Sequence, residues 1–390
     1  MRVLYVQFAG DFVESFNRLI IRGEEENYYG QKYTVETVWK QSNEGHTVKI
    51  VVLQNPQDAN VELKENLSYQ TFAEGSPTLE YTIKAIEDFK PDRVIVRSPQ
   101  RKLLKYLRKN GIPTLPLFAD SFDKSGSIRH KFNRNQLARE LRQDFFKWIG
   151  NHQINACRSL ARLGIRTDKL LPYDWEHPQS PEDWPRSDVP RRSDGPIRLF
   201  YAGAMSEDKG VHELVSAVRA LNESGIATEL KLAGRGDFSK VCAALDMPET
   251  VDYVSPLGLI SHDDVLENMA RADFVAVPSQ HVYPEGLPMT IMESLMVGTP
   301  VIASDHPMFV GRVGKRGSVR FFRAKNVDEL KALILEISSD ENTYQSARDN
   351  TSAEWYDLLL DLKWADLVNK WIDDPRRDDF KEYSLAAIQP

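Results

Sequence analysis

One window divides this chain into two similar halves and limits what it can fold into. From Glu176 to Pro196 hydrophobic periodicity lapses, and prolines stand at 178, 181, 185, 190 and 196. Proline fixes φ and has no N–H to donate, so such a window reads as an extended linker. Before it, an apolar run at 3–8 predicts a buried first strand. Helix 31–43, strand 47–53, helix 78–89, strand 93–97, helix 100–109 and strand 114–118 follow, then helices at 134–149 and 154–163. After it come strand 197–202, helix 211–223, strand 228–233, helix 239–245, strand 250–254, helix 262–270, strand 273–277, helix 288–297 and strand 301–303. Strands alternating with helices build a parallel sheet covered on both faces, the α/β class. At 390 residues the chain exceeds the usual reach of one core. The expectation is two Rossmann-like doubly wound domains, 1–175 and 197–352, joined by linker 176–196 and followed by a terminal segment, 353–390. In that segment Ala353 to Asp373 predicts one amphipathic helix, with Trp355, Trp364 and Trp371 as packing anchors.

Composition removes several function classes. A net charge of −7 argues against nonspecific nucleic-acid binding. Cys157 and Cys242 fall in different predicted halves, so neither a disulfide framework nor a cysteine-based zinc site follows. The apolar run after Met1-Arg2 is too short for a signal peptide, and no run of 18 apolar residues is present. A cytoplasmic protein is the simple expectation.

The stretch most suggestive of chemistry is Pro284-Glu285-Gly286-Leu287-Pro288 through Glu293 to Gly298-Thr299-Pro300-Val301. Pro288 suits a first helical position, and Ile291, Met292, Leu295 and Met296 carry the helix to Gly298. The free N–H groups of a first helical turn make a ready anion site. Glu285 stands just outside that turn and Glu293 inside the helix, so two carboxylates flank whatever anion sits there. A phosphate between two hydroxyl-binding carboxylates suggests a sugar joined to a nucleotide.

The eight-residue spacing of Glu285 and Glu293 resembles the E-x7-E signature of retaining GT-B glycosyltransferases, in the glycogen-synthase-like family 4. Val277-Pro278-Ser279, Tyr283 to Pro288, and Ser304-Asp305-His306-Pro307-Met308-Phe309 are similar to one bacterial branch of it. The resemblance is strong from about 150 to 372 and weak before. It implies two domains facing a central cleft, acceptor on the first and nucleotide sugar on the second, with the terminal helix crossing back to the first. It implies further that Glu285 orients the donor sugar and Glu293 meets the ribose. In the family an arginine and a lysine after the first strand of the second domain hold the diphosphate. In Gly203-Ala204-Met205-Ser206-Glu207-Asp208-Lys209-Gly210, Lys209 matches the lysine but Ala204 stands where the arginine would be. Arg235, in Ala233-Gly234-Arg235-Gly236, is the candidate substitute. Gly203 and Gly234 belong to loops beside the donor, and Gly258 and Leu259 to the segment whose backbone meets the base. Gly286, Leu287 and Pro288 complete the donor set.

The implied reaction moves a sugar from a nucleotide-diphosphate donor, UDP- or GDP-linked, to a sugar, glycan or lipid-linked glycan, with retention and without metal or other cofactor. Lys209 and the 288 helix would stabilise the departing diphosphate by preorganised electrostatics. Many relatives place a histidine in the first domain after the strand that follows Gly-Ile-Pro. Here Gly111-Ile112-Pro113 leads to Phe118-Ala119-Asp120-Ser121, so Asp120 is the candidate for part of that role; His130 and His152, nearby in sequence, read as surface or core. Gly10, Tyr28, Tyr29 and Gln31 are the other candidate acceptor contacts, since aromatic faces and amide groups suit a sugar. The basic amphipathic helix Gln100 to Lys109 could touch anionic lipid at the inner membrane face, while its place between two strands argues that its leucines are core. Two alternatives stay open: a catalytically weak nucleotide-sugar-binding protein of this fold, prompted by Ala204 and the missing histidine, and a GT-B sugar-nucleotide epimerase.

Overall fold

A computed structural model describes residues 1–8, 11–24, 31–55, 57–73, 75, 78–122, 128–184 and 195–388. The chain divides into two compact units, Met1–Glu176 with Leu360–Pro390, and His177–Leu359. The first is built on an eight-stranded sheet: β1 (Arg2–Gln7), β2 (Thr47–Asn55), β3 (Ala59–Lys64), β4 (Leu67–Ala73), β5 (Arg93–Val96), β6 (Thr114–Phe118), β7 (Ile149–His152) and β8 (Leu170–Tyr173). Its order is β3-β4-β2-β1-β5-β6-β7-β8. β3 runs antiparallel to β4; the other described pairings are parallel. Val3, Leu4, Tyr5 and Val6 are all buried, the continuous apolar run expected of a strand covered on both faces.

Four strands of this sheet were not anticipated. β3 and β4 form a hairpin through Glu65-Asn66, with Asn66 at φ +66°, and β3 is a largely exposed edge without an apolar face to read. The predicted helix 134–149 lies instead at Ile128–Leu141, and Ile149 opens β7. β7 and β8 have four residues each, and short apolar segments do not distinguish strand from helix by period.

The predicted helix from Ala353 to Asp373 is two helices rather than one. Thr351–Leu358 belongs to the second unit and Trp364–Asp373 to the first. Asp174 accounts for the break. Its carboxylate is fully buried and accepts bonds from Gln153 Nε2 (3.0 Å), Trp175 N (3.0 Å), Leu360 N (3.3 Å) and Lys363 Nζ (3.1 Å). Its backbone pairs with Leu362 and Trp364. These bonds hold the chain extended at Lys363 where the amphipathic pattern reads straight through. Trp364 and Trp371 are buried in the first unit and Trp355 in the second.

The second unit carries β9 (Ile197–Ala202), β10 (Thr228–Ala233), β11 (Val254–Gly258), β12 (Phe274–Val277), β13 (Val301–Ser304) and β14 (Val319–Phe322). Every described pairing is parallel, in the order β11-β10-β9-β12-β13-β14. The third strand begins four residues later than predicted, and β14 was not foreseen. The order reverses between β9 and β12, and in doubly wound sheets ligands bind at the carboxyl ends of the strands at such a point. The first unit has the equivalent reversal between β1 and β5.

Replacing Asp174 by alanine strands Lys363 and the Leu360 N–H without their acceptor. We predict a loss of about 3–5 kcal/mol in urea denaturation followed by tryptophan fluorescence.

Candidate functional site

The loops leaving β9, β10 and β11 are laced together by backbone bonds. Gly203 N donates to Ala233 O (2.9 Å), Met205 N to Arg235 O (2.7 Å) and Gly234 N to Gly258 O (2.8 Å). Gly234 has φ +135°, and a Cβ there would stand 1.9 Å from Gly203 O. Gly210 has φ +75°, and its Cβ would stand 2.1 Å from Pro278 O, after β12. Both neighbours are backbone and cannot swing aside, so only glycine fits either position. Gln280 N donates to Asp208 O (2.9 Å) and Gln280 Nε2 to Glu213 Oε1 (2.7 Å), which fastens the β12 loop to the β9 loop.

Lys209 ends a short 3-10 turn, Glu207–Lys209, ahead of the helix Val211–Glu223. Its Nζ is paired with Glu285 Oε1 and lies 4.2 Å from the centre of the Tyr283 ring. Glu285 is 9% exposed, and its Oε2 is buried with no hydrogen-bond partner among the described residues. A buried carboxylate oxygen without a donor is costly, and a hydroxyl-bearing ligand would satisfy it. Tyr201 donates to Ala204 O (2.6 Å), and its phenol is pushed up, first by burial and then by the neighbouring Glu285 and Tyr283.

Pro288 caps the helix Met289–Met296 from just outside, one position earlier than predicted. Glu293, 7% exposed within that helix, holds His262 Nε2 at 2.8 Å. Sequence reasoning missed His262. The available signal was Ser261, whose Oγ accepts from Asp264 N (3.1 Å) and so makes His262 the first residue of the helix His262–Arg271. That this helix end meets Glu293 is a tertiary fact with no counterpart in sequence spacing.

The second unit thus holds Lys209, Glu285 and Tyr283 in one cluster, Gly203, Gly234, Arg235 and Gly258 in the loop lattice, and Glu293 with His262. Gly286 and Leu287 are buried beside Glu285, and Leu259 is exposed. Arg235 is exposed, and its guanidinium forms no ion pair among the described residues. Its backbone touches Met205, the neighbour of Ala204.

Of the acceptor candidates, Gly10, Tyr28 and Tyr29 lie outside the described residues, as does the side chain of Gln31, which opens the helix Gln31–Asn43. Asp120 belongs to the first unit, just after β6, where its N–H donates to Asn151 Oδ1 (3.2 Å). Burial pushes its carboxyl up to about 6. His152, at the end of β7, is buried against Tyr173 and Trp175. In the basic helix Arg101–Lys109, Leu103, Leu104 and Leu107 are core residues of the first unit, as its place between two strands implies. Among the described residues no helix is long and apolar enough to cross a membrane, and no three His, Cys, Asp or Glu side chains are grouped to hold a metal ion.

Residues 184–354, which lie within the second unit, match the family described as Glycosyl transferases group 1. Among curated proteins, the amylovoran biosynthesis glycosyltransferase AmsK of Erwinia amylovora is 25% identical over 150 residues, 37% of this chain and 37% of AmsK. The chain therefore spans well under two thirds of that relative. Over nearly its whole length it shares the fold of solved GT-B glycosyltransferases. Sucrose-phosphate synthase from Thermosynechococcus elongatus superposes with a TM-score of 0.67 at 15% identity, covering 96% of this chain and 99% of that one. Anabaena HepE, solved with UDP-glucose, gives 0.63 at 14% identity, with coverage of 96% and 99%.

Two expectations follow. Gly234→Ala introduces both a left-handed backbone penalty and a clash with Gly203 O; we predict a loss of about 1–3 kcal/mol in thermal unfolding, with the β9 loop displaced. Asp120 is held protonated more readily in the fold than in the unfolded chain. Its contribution is therefore present in full below about pH 4 and lost as pH rises through about 6. Asp120→Asn should raise the melting temperature at pH 7.5 and leave it unchanged at pH 4, as differential scanning calorimetry would read.

Proposed function

We propose that this protein is a retaining glycosyltransferase that moves a sugar from a UDP- or GDP-linked donor to a glycan-type acceptor. The observation that carries the proposal is the partly buried Lys209–Glu285 pair, with Glu285 Oε2 unsatisfied among the described residues, beside a strand-order reversal in the residues that match group 1 glycosyltransferases. A diphosphate leaving group gains negative charge as the glycosidic bond breaks. Lys209 and the N-terminus of the Met289–Met296 helix are fixed positive ends suited to that charge. Glu285 Oε2 accepts from a donor-sugar hydroxyl, while Oε1 stays with Lys209. Glu293 accepts from the ribose diol, with His262 holding its other side. Arg235 supplies the second cation that Ala204 does not. The first unit takes the acceptor, and Asp120, ionised above about pH 6, orients the attacking hydroxyl. HepE was solved with UDP-glucose, and AmsK is named as a biosynthetic glycosyltransferase, both in keeping with a sugar-transfer reaction from a nucleotide-sugar donor.

Ala204 favours a second reading, a nucleotide-sugar-binding protein with weak turnover, because half of the usual diphosphate clamp is replaced by a methyl group. Binding and turnover separate the two. Melting temperature is measured with saturating UDP, GDP and ADP, each with and without magnesium. At about 100 times Kd a ligand adds roughly 2.7 kcal/mol, a clear shift. A magnesium-independent shift with one nucleotide is expected, and no shift with any overturns the donor site. Glu293→Ala should weaken nucleotide binding about ten- to hundredfold, and Lys209→Ala should mainly slow release of nucleotide from its sugar. If both variants bind and turn over as the parent does, the assignment fails.

A further inference from the structure

At its own strand-order reversal the first unit holds a guanidinium with no counter-ion among the described residues. Arg97 directly follows β5, and its N–H donates to Val6 O (2.8 Å), so it stands beside the end of β1, where the order turns from β2 to β5. Its Nη1 donates to Gln7 Oε1 (3.3 Å) and Thr34 Oγ1 (3.2 Å), both long for a charged donor. The guanidinium carbon lies 5.2 Å from the centre of the Trp364 ring. The remaining neighbours are the phenols of Tyr173 and Tyr5, and burial pulls the guanidinium below its usual value. Among the described residues no carboxylate pairs with it. Other arginines here do find partners: Arg198 pairs with Asp273 (2.8 Å) and Arg108 with Glu140 (2.5 Å).

Arg97 is only partly buried, and its Nε and Nη2 have no partner among the described residues, so two parallel donors of the planar fork remain reachable. Thr34 lies in the first turn of the helix Gln31–Asn43, which brings the positive end of that helix to the same place. A cation removed from water without a counter-ion is unfavourable, and a ligand's negative charge reverses that. A guanidinium fork matches two oxygens of one phosphate or carboxylate.

We propose that Arg97 binds an oxyanion, phosphate or carboxylate, carried by a sugar that docks at the β1–β5 reversal. That this sugar is the acceptor rests on the function proposed above; the anion site itself does not.

Isothermal titration of the full chain with glucose 6-phosphate, glucuronate and glucose tests the proposal. The parent protein should bind at least one anionic sugar about tenfold or more tightly than glucose, and the better of the two names the oxyanion. Arg97→Gln should lose that binding about ten- to hundredfold, and Lys209→Ala should keep it. Arg97→Lys retains the charge but not the fork and should fall between; should Arg97→Gln fail to fold, this variant decides. Three results overturn the site: equal affinity for glucose or no anionic binding, parent-like affinity in the Arg97 variants, or loss on Lys209→Ala. Nucleotide binding is read on the same samples. Its absence would sink the glycosyltransferase reading and leave the Arg97 result standing.

Discussion

Close approach of backbone to backbone at two glycines is the constraint on which the second unit's site depends. At Gly234 the β10 loop lies against Gly203 O, and at Gly210 the β9 loop lies against Pro278 O, with no room for a Cβ in either case. Together with the bond from Gly234 N to Gly258 O, these contacts fix the ends of β9, β10, β11 and β12 relative to one another. In doubly wound sheets a ligand crevice forms where strand order reverses, as it does between β9 and β12, because connections leave those strands in opposite directions. Its dimensions are set by how tightly the loops close, which is a matter of missing side chains. Lys209 can meet Glu285 across 76 residues of sequence only because Gly210 lets its loop lie flat on the next one.

Electrostatics then gives the crevice its character. Each of the two glutamates has one oxygen held by a basic side chain, Glu285 by Lys209 and Glu293 by His262. The Lys209–Glu285 pair is weak evidence for stability, since removing both charges from water offsets much of their attraction. Its value is orientation. A carboxylate pinned at one oxygen presents the other in a fixed direction, and hydroxyls of a sugar or ribose are recognised by direction. Position 204 shows the same economy. The backbone carbonyl of Ala204 accepts the Tyr201 hydroxyl, and Arg235, joined to Met205 through its backbone, stays exposed without an ion pair among the described residues.

Much of this architecture was legible in the residues. Apolar runs such as 3–6 and 274–277 announce buried parallel strands, and the Gly/Pro punctuation around 284–300 places a helix with a glutamate on either side of its start. What escaped reading had identifiable causes. β3 is an exposed edge and lacks an apolar face. β7 and β8 are too short to show a period. The break before Trp364 is imposed by Asp174, nearly two hundred residues earlier, and no local pattern encodes it. The same holds for the site: Glu285, Glu293 and Lys209 lie in recognisable local contexts, whereas His262 gains its role only through the packing of two helices.

The two units share a device that sequence could not show. Each is a parallel sheet whose order reverses beside its first strand, and each carries a cationic side chain at that reversal, Lys209 in one and Arg97 in the other. The two cations differ in their company. Lys209 already has a carboxylate, Glu285, which stays beside it whether or not an anion is present. Arg97 has only neutral acceptors and aromatic faces around it among the described residues, so an incoming anion has nothing to displace. A reaction that must let go of a newly formed diphosphate fits the first arrangement, because a cation with an alternative partner releases its product without being left bare. A substrate that must be retained until transfer is complete fits the second.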